Sequence, residues 1–414
     1  GNDLQFSTYF GGDGYDAANA IALSENGDFF ITGVTDSKDF PTKNNFQEDH
    51  DTVDAFVTKM NSTASEIIYS TYLGGSKNDH AHAIAIDDAG NAYIAGETNS
   101  INFPIKNALQ KYNQGYDVFI TKLNPVGENI VYSTYLGGNS FESCLSIAVD
   151  TAGSAHIGGS THSTDFPVKN QMQDEYGGGA FDGFVAKLNE TGSELVFSTY
   201  LGGGDWDECK AVAIKHDGYV YAAGFTYSSD FPLVNKYQDF KSGYYYTDAF
   251  ITKIRPDGKY AAFSTYWGGN QADEANAVVL DSADNVYIAG FTDSENFPAK
   301  DSIQKFQGVS DCFISKFEIQ YLSVKENLSA NNDVLKVYPN PANSDINILI
   351  NSEISGHYKL RIYNYQGILI EREKWYHSRT KTVIVPLENY PGGAYRIVLQ
   401  TPQGVLSKSI AIVK

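Results

Sequence analysis

Five carboxylates recur along the chain at Asp16, Asp79, Glu142, Asp207 and Asp273, spaced by 63, 63, 65 and 66 residues. Each stands four residues after the second glycine of a Gly-Gly pair. Carboxylates repeated in this way could ring a cation such as Ca2+ with hard oxygen ligands, or meet in pairs as acid and base. The same side chains also accept hydrogen bonds from backbone N–H groups that turns leave open. Presence in every copy favours the second role, because a binding site ordinarily breaks repeat symmetry. Ca2+ is the one cofactor these positions suggest. "DHAH" (79–82) places His80 and His82 on one strand face beside Asp79, but no other copy has them and two histidines do not make a metal site. There is no G-x-S-x-G elbow, no H-E-x-x-H and no phosphate-cradling glycine loop. No catalytic residue therefore emerges.

The elements that position these acids belong to a long internal repeat. "STYFGG" or a near-copy begins at Ser7, Ser70, Ser133, Ser198 and Ser264, and "DFP" or "NFP" falls at 39–41, 102–104, 165–167, 230–232 and 296–298. "DAFVTK" and its relatives begin at Asp54, Asp117, Asp182, Asp248 and Asp311. The second unit predicts four short strands at 81–87, 91–97, 117–124 and 129–137, with "DDAGN" and "NPVGEN" as glycine-containing turns. The strands are apolar on nearly every residue, which requires cover on both faces of the sheet. Four-stranded sheets covered on both faces and repeated about an axis form a β-propeller. The first unit opens with a fourth strand and the last stops after its third. The sequence therefore predicts five blades, with residues 4–10 pairing beside 311–318 to close the ring and remove two open edges. The repeated Thr35 and Ser37 with their equivalents, and Gln47 with its equivalents, read as blade architecture.

Function is expected where the copies differ. The segment after "FP" is longest in the fourth unit, where Tyr237, Tyr244, Tyr245 and Tyr246 crowd together, and Trp206 stands in the same unit's "GGGDWDE". Exposed rings of this kind offer flat apolar area to a sugar or a protein partner; ordinary loop packing is the alternative.

Bulk composition narrows the classes. A net charge of −20 disfavours nucleic acid and anionic membrane surfaces, and no apolar run reaches transmembrane length. The three cysteines, Cys144, Cys209 and Cys312, make no disulfide framework and read as small buried packing residues. No signal peptide is visible, and Gly1 suits a mature or trimmed terminus, so that absence carries no weight.

"STYLGG", "AIAID..GN.YIAG.T.S.DFP" and "DAFVTKL" resemble the SBBP-type β-propeller repeat of bacterial extracellular proteins over residues 4–318. That resemblance implies the fold and an extracytoplasmic setting rather than a reaction. The family's name refers to seven blades, so five is a departure.

Periodicity stops near Phe317, and residues 319–334 read as a polar linker. Residues 335–414 then show strands at 346–350, 358–364, 381–387, 394–401 and 407–414 separated by "YQG", "PGG" and "PQG" turns, the pattern of a small antiparallel β-sandwich. "VYPNPA" (337–342), "YNYQG" and "YPGGAYRIVL" resemble the type A sorting domain of the Bacteroidota type IX secretion system. The motif residues are Tyr338, Pro339, Asn340, Pro341, Gly392, Gly393, Tyr395 and Lys414. The resemblance implies export through the periplasm to the surface, and recognition by the translocon and its outer-membrane shuttle protein. In many members, removal of the domain and attachment to surface lipopolysaccharide follow. Four Asp-Ser/Thr-apolar triplets, at 51–53, 150–152, 281–283 and 301–303, resemble that phylum's O-glycosylation acceptors. The expected protein is an all-β surface cargo whose propeller binds a glycan or another surface protein. A hydrolase or lyase with a carboxylate site in the channel, and a structural part of an envelope complex, are the rivals.

Overall fold

The computed structural model describes residues 3–48, 52–111, 115–239, 241, 245–281, 285–318, 335–343, 345–350, 356–364, 369–377, 381–387, 390–401 and 404–413. The regular structure among them is all β, in two compact units, Gly1–Ile319 and Gln320–Lys414. The expected linker at 319–334, Tyr244 and Lys414 lie outside the described residues.

The repeats fold into five consecutive antiparallel sheets. The first holds β1 (Asp16–Leu23), β2 (Phe29–Thr35), β3 (Asp54–Met60) and β4 (Ile67–Leu73); the second, β5 (Asp79–Ile86), β6 (Ala92–Thr98), β7 (Asp117–Leu123) and β8 (Ile130–Leu136). The third holds β9 (Glu142–Val149), β10 (Ala155–Thr161), β11 (Asp182–Leu188) and β12 (Leu195–Leu201). The fourth holds β13 (Asp207–Ile214), β14 (Val220–Thr226), β15 (Asp248–Ile254) and β16 (Ala261–Trp267). The fifth has three strands, β17 (Asp273–Leu280), β18 (Val286–Thr292) and β19 (Asp311–Phe317). Within each sheet the strands are neighbours in chain order, the meander of a propeller blade.

Each letter of the recurring phrase has a physical task. The serine hydroxyl meets the threonine of the neighbouring third strand, as in Thr121–Ser133 at 2.8 Å. The threonine hydroxyl receives backbone N–H groups of the preceding loop, such as Phe46 and Gln47 to Thr71, both at 3.0 Å. The tyrosine hydroxyl donates to the loop after the second strand: Tyr72 to Ser37 O at 2.6 Å and Tyr135 to Ser100 O at 2.7 Å. Equivalent bonds run from Tyr200 and Tyr266. The glutamine amide closes the loop, its Nε2 donating to Gly74 O at 2.7 Å from Gln47. The tyrosine and threonine bonds recur in all four complete sheets, whereas the serine of the third, Ser198, faces Ala186 and has no hydroxyl partner.

Successive sheets stack through their first strands. β5 lies against β1, β2 and β3, β9 against β5, β6 and β7, β13 against β9, β10 and β11, and β17 against β13, β14 and β15. This cover explains the continuous apolar strands: every residue but Lys122 of β7 is buried.

The two ends of the series lack that cover. Ile84, Ile147, Val212 and Val278 are 6–8% exposed, whereas their equivalent in the first sheet, Ile21, is 66% exposed. On the opposite side, Val57, Ile120, Val185 and Ile251 are fully buried and their equivalent Ile314 is 77% exposed. For the same reason Cys312 is exposed, while Cys144 and Cys209 are buried as the sequence suggests. Residues 4–10 form no strand, and their expected pairing with β19 is not observed. Phe10 instead rests edge-on against Phe40 at 5.1 Å and beside Phe56, and Phe6 stacks on Phe29 at 5.8 Å. The segment occupies the place the repeat gives to the fourth strand of a preceding sheet, without its strand partner.

The second unit contains β20 (Leu335–Tyr338), β21 (Asp345–Ile350), β22 (Gly356–Asn364), β23 (Leu369–His377), β24 (Lys381–Pro386), β25 (Gly393–Thr401) and β26 (Gly404–Ile412). They form two sheets, β20-β21-β24 and β23-β22-β25-β26, over a core that includes Ile346, Ile348, Leu360, Ile362, Ile397 and Leu399. β20 and β23 are additions to the five strands expected from the sequence.

Candidate functional site

The acids of the recurring column are held in one arrangement. Asp79 accepts from the Gly75 N–H at 2.6 Å, from the Ser100 hydroxyl at 2.9 Å and from the Thr98 hydroxyl. Asp207 accepts from Gly203 N–H and Ser228 at 2.7 Å each, and Asp273 from Gly269 N–H at 2.7 Å and Ser294 at 2.9 Å. Glu142 reaches Gly138 N–H at 3.1 Å and Thr161 at 2.8 Å, its longer side chain serving the same turn. Asp16 receives Gly12 N–H at 2.8 Å and Ser37 at 2.9 Å. Apart from the half-buried Asp16 these acids are fully enclosed. The first glycine of each pair separates this acid from that of the preceding third strand. A Cβ on Gly74 would sit 2.1 Å from Asp54 Oδ1 and 2.8 Å from Asp79 Oδ2, so no side chain fits. Gly202 stands in the same way between Asp182 and Asp207.

Two enclosed carboxylates at one junction disfavour double ionisation. Burial pushes Asp79 up to about 6 and Asp207 up to about 7 against the hydrogen bonds that favour the anion. Burial, offset by the Gly177 N–H and reinforced by the Asp207 charge, pushes Asp182 up to about 7. Burial also raises Glu142 and Asp273.

The clasp fixes the residue immediately before it, and there the sheets differ. The position preceding the acid is Tyr15, Asn78, Phe141, Trp206 and Ala272 in the five units. The position after the second strand is Asp36, Asn99, His162, Tyr227 and Asp293, and that before the third strand is Val53, Tyr116, Phe181, Thr247 and Ser310. Backbone bonds tie these three positions into one end of the stack: His162 N–H to Phe141 O at 2.9 Å, Asp207 N–H to Phe181 O at 2.9 Å and Tyr227 N–H to Trp206 O at 2.7 Å. All three are aromatic in the third sheet, and two of them, Trp206 and Tyr227, in the fourth. Ring centroids run from Tyr116 to Phe141 at 5.4 Å, to His162 at 5.4 Å, to Phe181 at 5.3 Å, to Trp206 at 5.6 Å and to Tyr227 at 5.7 Å. Trp206 stacks nearly parallel on Phe181 and remains 45% exposed, and the Lys241 ammonium lies 5.8 Å over the Tyr227 ring.

Of the expected aromatic residues, Trp206 belongs to this strip, between Phe181 and Tyr227. Tyr237 belongs elsewhere, edge-on to Trp267 at 5.4 Å, and Tyr245 and Tyr246 are exposed in the segment preceding β15. Phe141, His162 and Tyr227 are absent from the sequence reading. Aligning the three columns would have exposed them, because each is polar or small in most other units.

In the second unit the "YPNP" segment grips the last strand. The Ala411 N–H donates to Asn340 Oδ1 at 2.9 Å, and Ala342 exchanges backbone bonds of 2.8 Å with Ala411 and Val413. Tyr395 packs on Tyr390 at 5.6 Å and donates to Pro391 O at 2.9 Å. Gly393 starts β25 at φ 151, a conformation that side chains rarely adopt, and Gly392 is exposed beside it.

The family described as "Beta-propeller repeat" (SBBP) matches residues 5–41, 68–104, 131–167 and 262–298, and "Secretion system C-terminal sorting domain" matches 336–413. The chain carries SBBP propeller repeats and a C-terminal secretion sorting domain. It is thus a type IX secretion cargo, exported to the cell surface or the extracellular space. Among the described residues no helix is long and apolar enough to cross a membrane. No curated protein matches the chain. Among solved structures, the GH43 β-xylosidase/α-arabinofuranosidase CoXyl43 from a compost metagenome is similar at 10% identity and TM-score 0.32, over 76% of this chain and 93% of that one. A glycoside hydrolase family 32 protein of Bifidobacterium adolescentis is similar at 9% identity and TM-score 0.28, over 97% and 78%. Dimeric latent PorU of Porphyromonas gingivalis is similar at 9% identity and TM-score 0.17, over 87% and 31%. Likenesses of this size carry no functional argument.

The enclosed acids of the SBBP units make a pH prediction. A carboxyl whose folded pKa is raised favours the fold below its unfolded value near ~4, and that contribution is lost as pH rises through the folded pKa. Asp182 and Asp207, both at about 7, therefore weigh against stability above neutrality. Asp182→Asn keeps an oxygen for the Gly177 N–H and removes the charge. Its melting temperature, relative to the parent, rises between pH 5 and pH 8; a difference independent of pH would contradict the assignment.

Proposed function

We propose that the protein is an exported surface module that binds a glycan or a surface protein through the aromatic strip of the third and fourth sheets. The observation that carries this reading is the joint change of three columns. Positions that are mostly polar or small in the other sheets become touching rings in two neighbouring sheets. Packing does not demand this, since the second and fifth sheets hold the same backbone bond with Asn99 on Asn78 and Asp293 on Ala272. Half-exposed flat rings give a ligand apolar area at small entropic cost, while exposed Asp205 and Asp230 supply polar edges. Exposed Tyr245 and Tyr246 extend the aromatic character of the same unit. The repeated carboxylates lend little to a hydrolase or lyase, because most are sealed within hydrogen-bonded junctions.

For the sorting domain, the proposed partners are the type IX translocon and its outer-membrane shuttle protein. Strand addition along β26, an edge strand gripped by the Asn340 loop, suits such recognition. Cleavage and lipopolysaccharide attachment would follow as in relatives of this domain.

The closed five-bladed ring also remains a proposal. Its support is the match between the two uncovered faces, which repeat the chemistry of every covered junction. In complete sheets the serine of the phrase pairs with a third-strand residue, Ser133 with Thr121 and Ser264 with Thr252; the corresponding pair at the seam is Ser7 and Ser315.

Two measurements test these readings. On an immobilised glycan array, the full-length protein binds a defined set, and Trp206→Asn, the residue of the second unit, reduces binding at least tenfold with an unchanged melting temperature. A blank array, or equal binding by the variant, would remove the glycan assignment. With Cys312→Ala to exclude a competing thiol, the pair Ser7→Cys and Ser315→Cys forms a disulfide within one chain if the ring closes. Free thiols or linked dimers would contradict closure.

A further inference from the structure

On the second sheet two imidazoles converge on one carboxylate. His80 of β5 pairs directly with Glu97 of β6, and His82 is the extra residue of a bulge between Ala81 and Ala83. Bulges re-aim side chains, and this one brings both histidines to the same acid. Nδ1 of His80 lies 3.3 Å from Oε1 of Glu97, and Nε2 of His82 lies 3.7 Å from Oε2. One ligand atom from each of the three residues lies within 4.8 Å of the other two. Ligands of a tetrahedral ion, bound at about 2.0–2.2 Å, stand roughly 3.3–3.6 Å from one another, so small side-chain rotations complete the set.

The surroundings suit an ion as well. The side chains of His80, His82 and Glu97 are 30%, 28% and 13% exposed, which holds them in place yet leaves one side open to water. Ser143 of the neighbouring sheet hydrogen-bonds Glu97, the orienting contact that metal-ligating carboxylates ordinarily have. The other sheets handle this corner differently. Between the fourth and fifth sheets the same columns hold an ion pair, Lys210 to Glu274 at 2.7 Å. The first sheet has Ala17, Asn19 and Val34 there, and the third Ser143, Leu145 and Ser160.

We propose that His80, His82 and Glu97 bind a divalent transition ion of the Zn2+ class, with a fourth position open to water. Two imidazoles and one carboxylate match the preference of borderline ions, whereas Ca2+ and Mg2+ require oxygen ligands throughout. The proposal is independent of the aromatic strip.

The test uses the full chain after treatment with EDTA and dialysis, titrated by calorimetry with Zn2+ and, separately, Ca2+. His82→Asn and Glu97→Ser are the variants, because Asn19 and Ser160 already fill those columns in other sheets. The parent takes up one Zn2+ in a class of sites that each variant weakens at least tenfold, and Ca2+ does not compete for it. Co2+ in place of Zn2+ gives the parent an intense visible band of four-coordinate geometry, lost in both variants. Absence of Zn2+ uptake, or equal uptake by parent and variants, would overturn the proposal. X-ray absorption of the Zn2+-loaded parent provides a measurement that needs no variant, and a spectrum without imidazole scattering would overturn it too.

Discussion

The structure depends on a buried carboxylate that clasps the turn between one sheet and the next. In each unit the acid heading the first strand accepts the N–H of the second glycine and a hydroxyl from the loop beyond the second strand. The glycine pair is required because a Cβ on the first would strike the acids packed on either side, and one on the second the serine of the loop beyond the second strand. A buried polar group left unsatisfied costs about 1–3 kcal/mol, so the clasp strongly favours one path for the chain out of each sheet. That path lays the following first strand across the preceding sheet, and the apolar columns of both faces are buried as a result. It also fixes the side chain just before the acid at one end of the stack. Conserved geometry at the acid and varied chemistry beside it are two consequences of one interaction.

Much of this could be read from the sequence because its cause is local and repeated. Five copies of "STY", Gly-Gly and the acid locate the strands to within two residues, and covered faces follow from runs such as "DVFITKL". Cys144 and Cys209, of one first-strand column, lie buried as small packing residues, but Cys312, in the third-strand column of the buried Ala55, Val118 and Ala249, does not, because no further blade sheet covers the fifth. The missing cover depends on whether distant ends meet, which no local pattern encodes. β20 escaped notice as four residues beside a polar stretch. β23, "LIEREKWYH", carries four charged residues in nine and lacks a plain apolar alternation.

The candidate sites were legible only in part, for the same reason. Trp206 stands out as a rare residue in a variable position, yet its partners Phe181 and Tyr227 lie 25 and 21 residues away and gain meaning only when the columns are superposed. The crowded tyrosines drew attention by density, but Tyr237 turns to Trp267 instead. Glu97 completes the histidine pair from the neighbouring strand, a contact set by sheet register rather than by sequence proximity. In the sorting domain the gripping role of Asn340 is also a long-range contact, 71 residues from Ala411.

The most direct measurement of the clasp is hydrogen–deuterium exchange at the glycine amides it engages. Those amides sit in turns outside the strand ladders, so exchange there reports the carboxylate bonds themselves. Peptides covering 74–79, 137–142, 202–207 and 268–273 should exchange as slowly as the neighbouring strands, and 11–16, at the uncovered first sheet, faster. Exchange in the four inner turns at the rate of exposed loops would contradict the account.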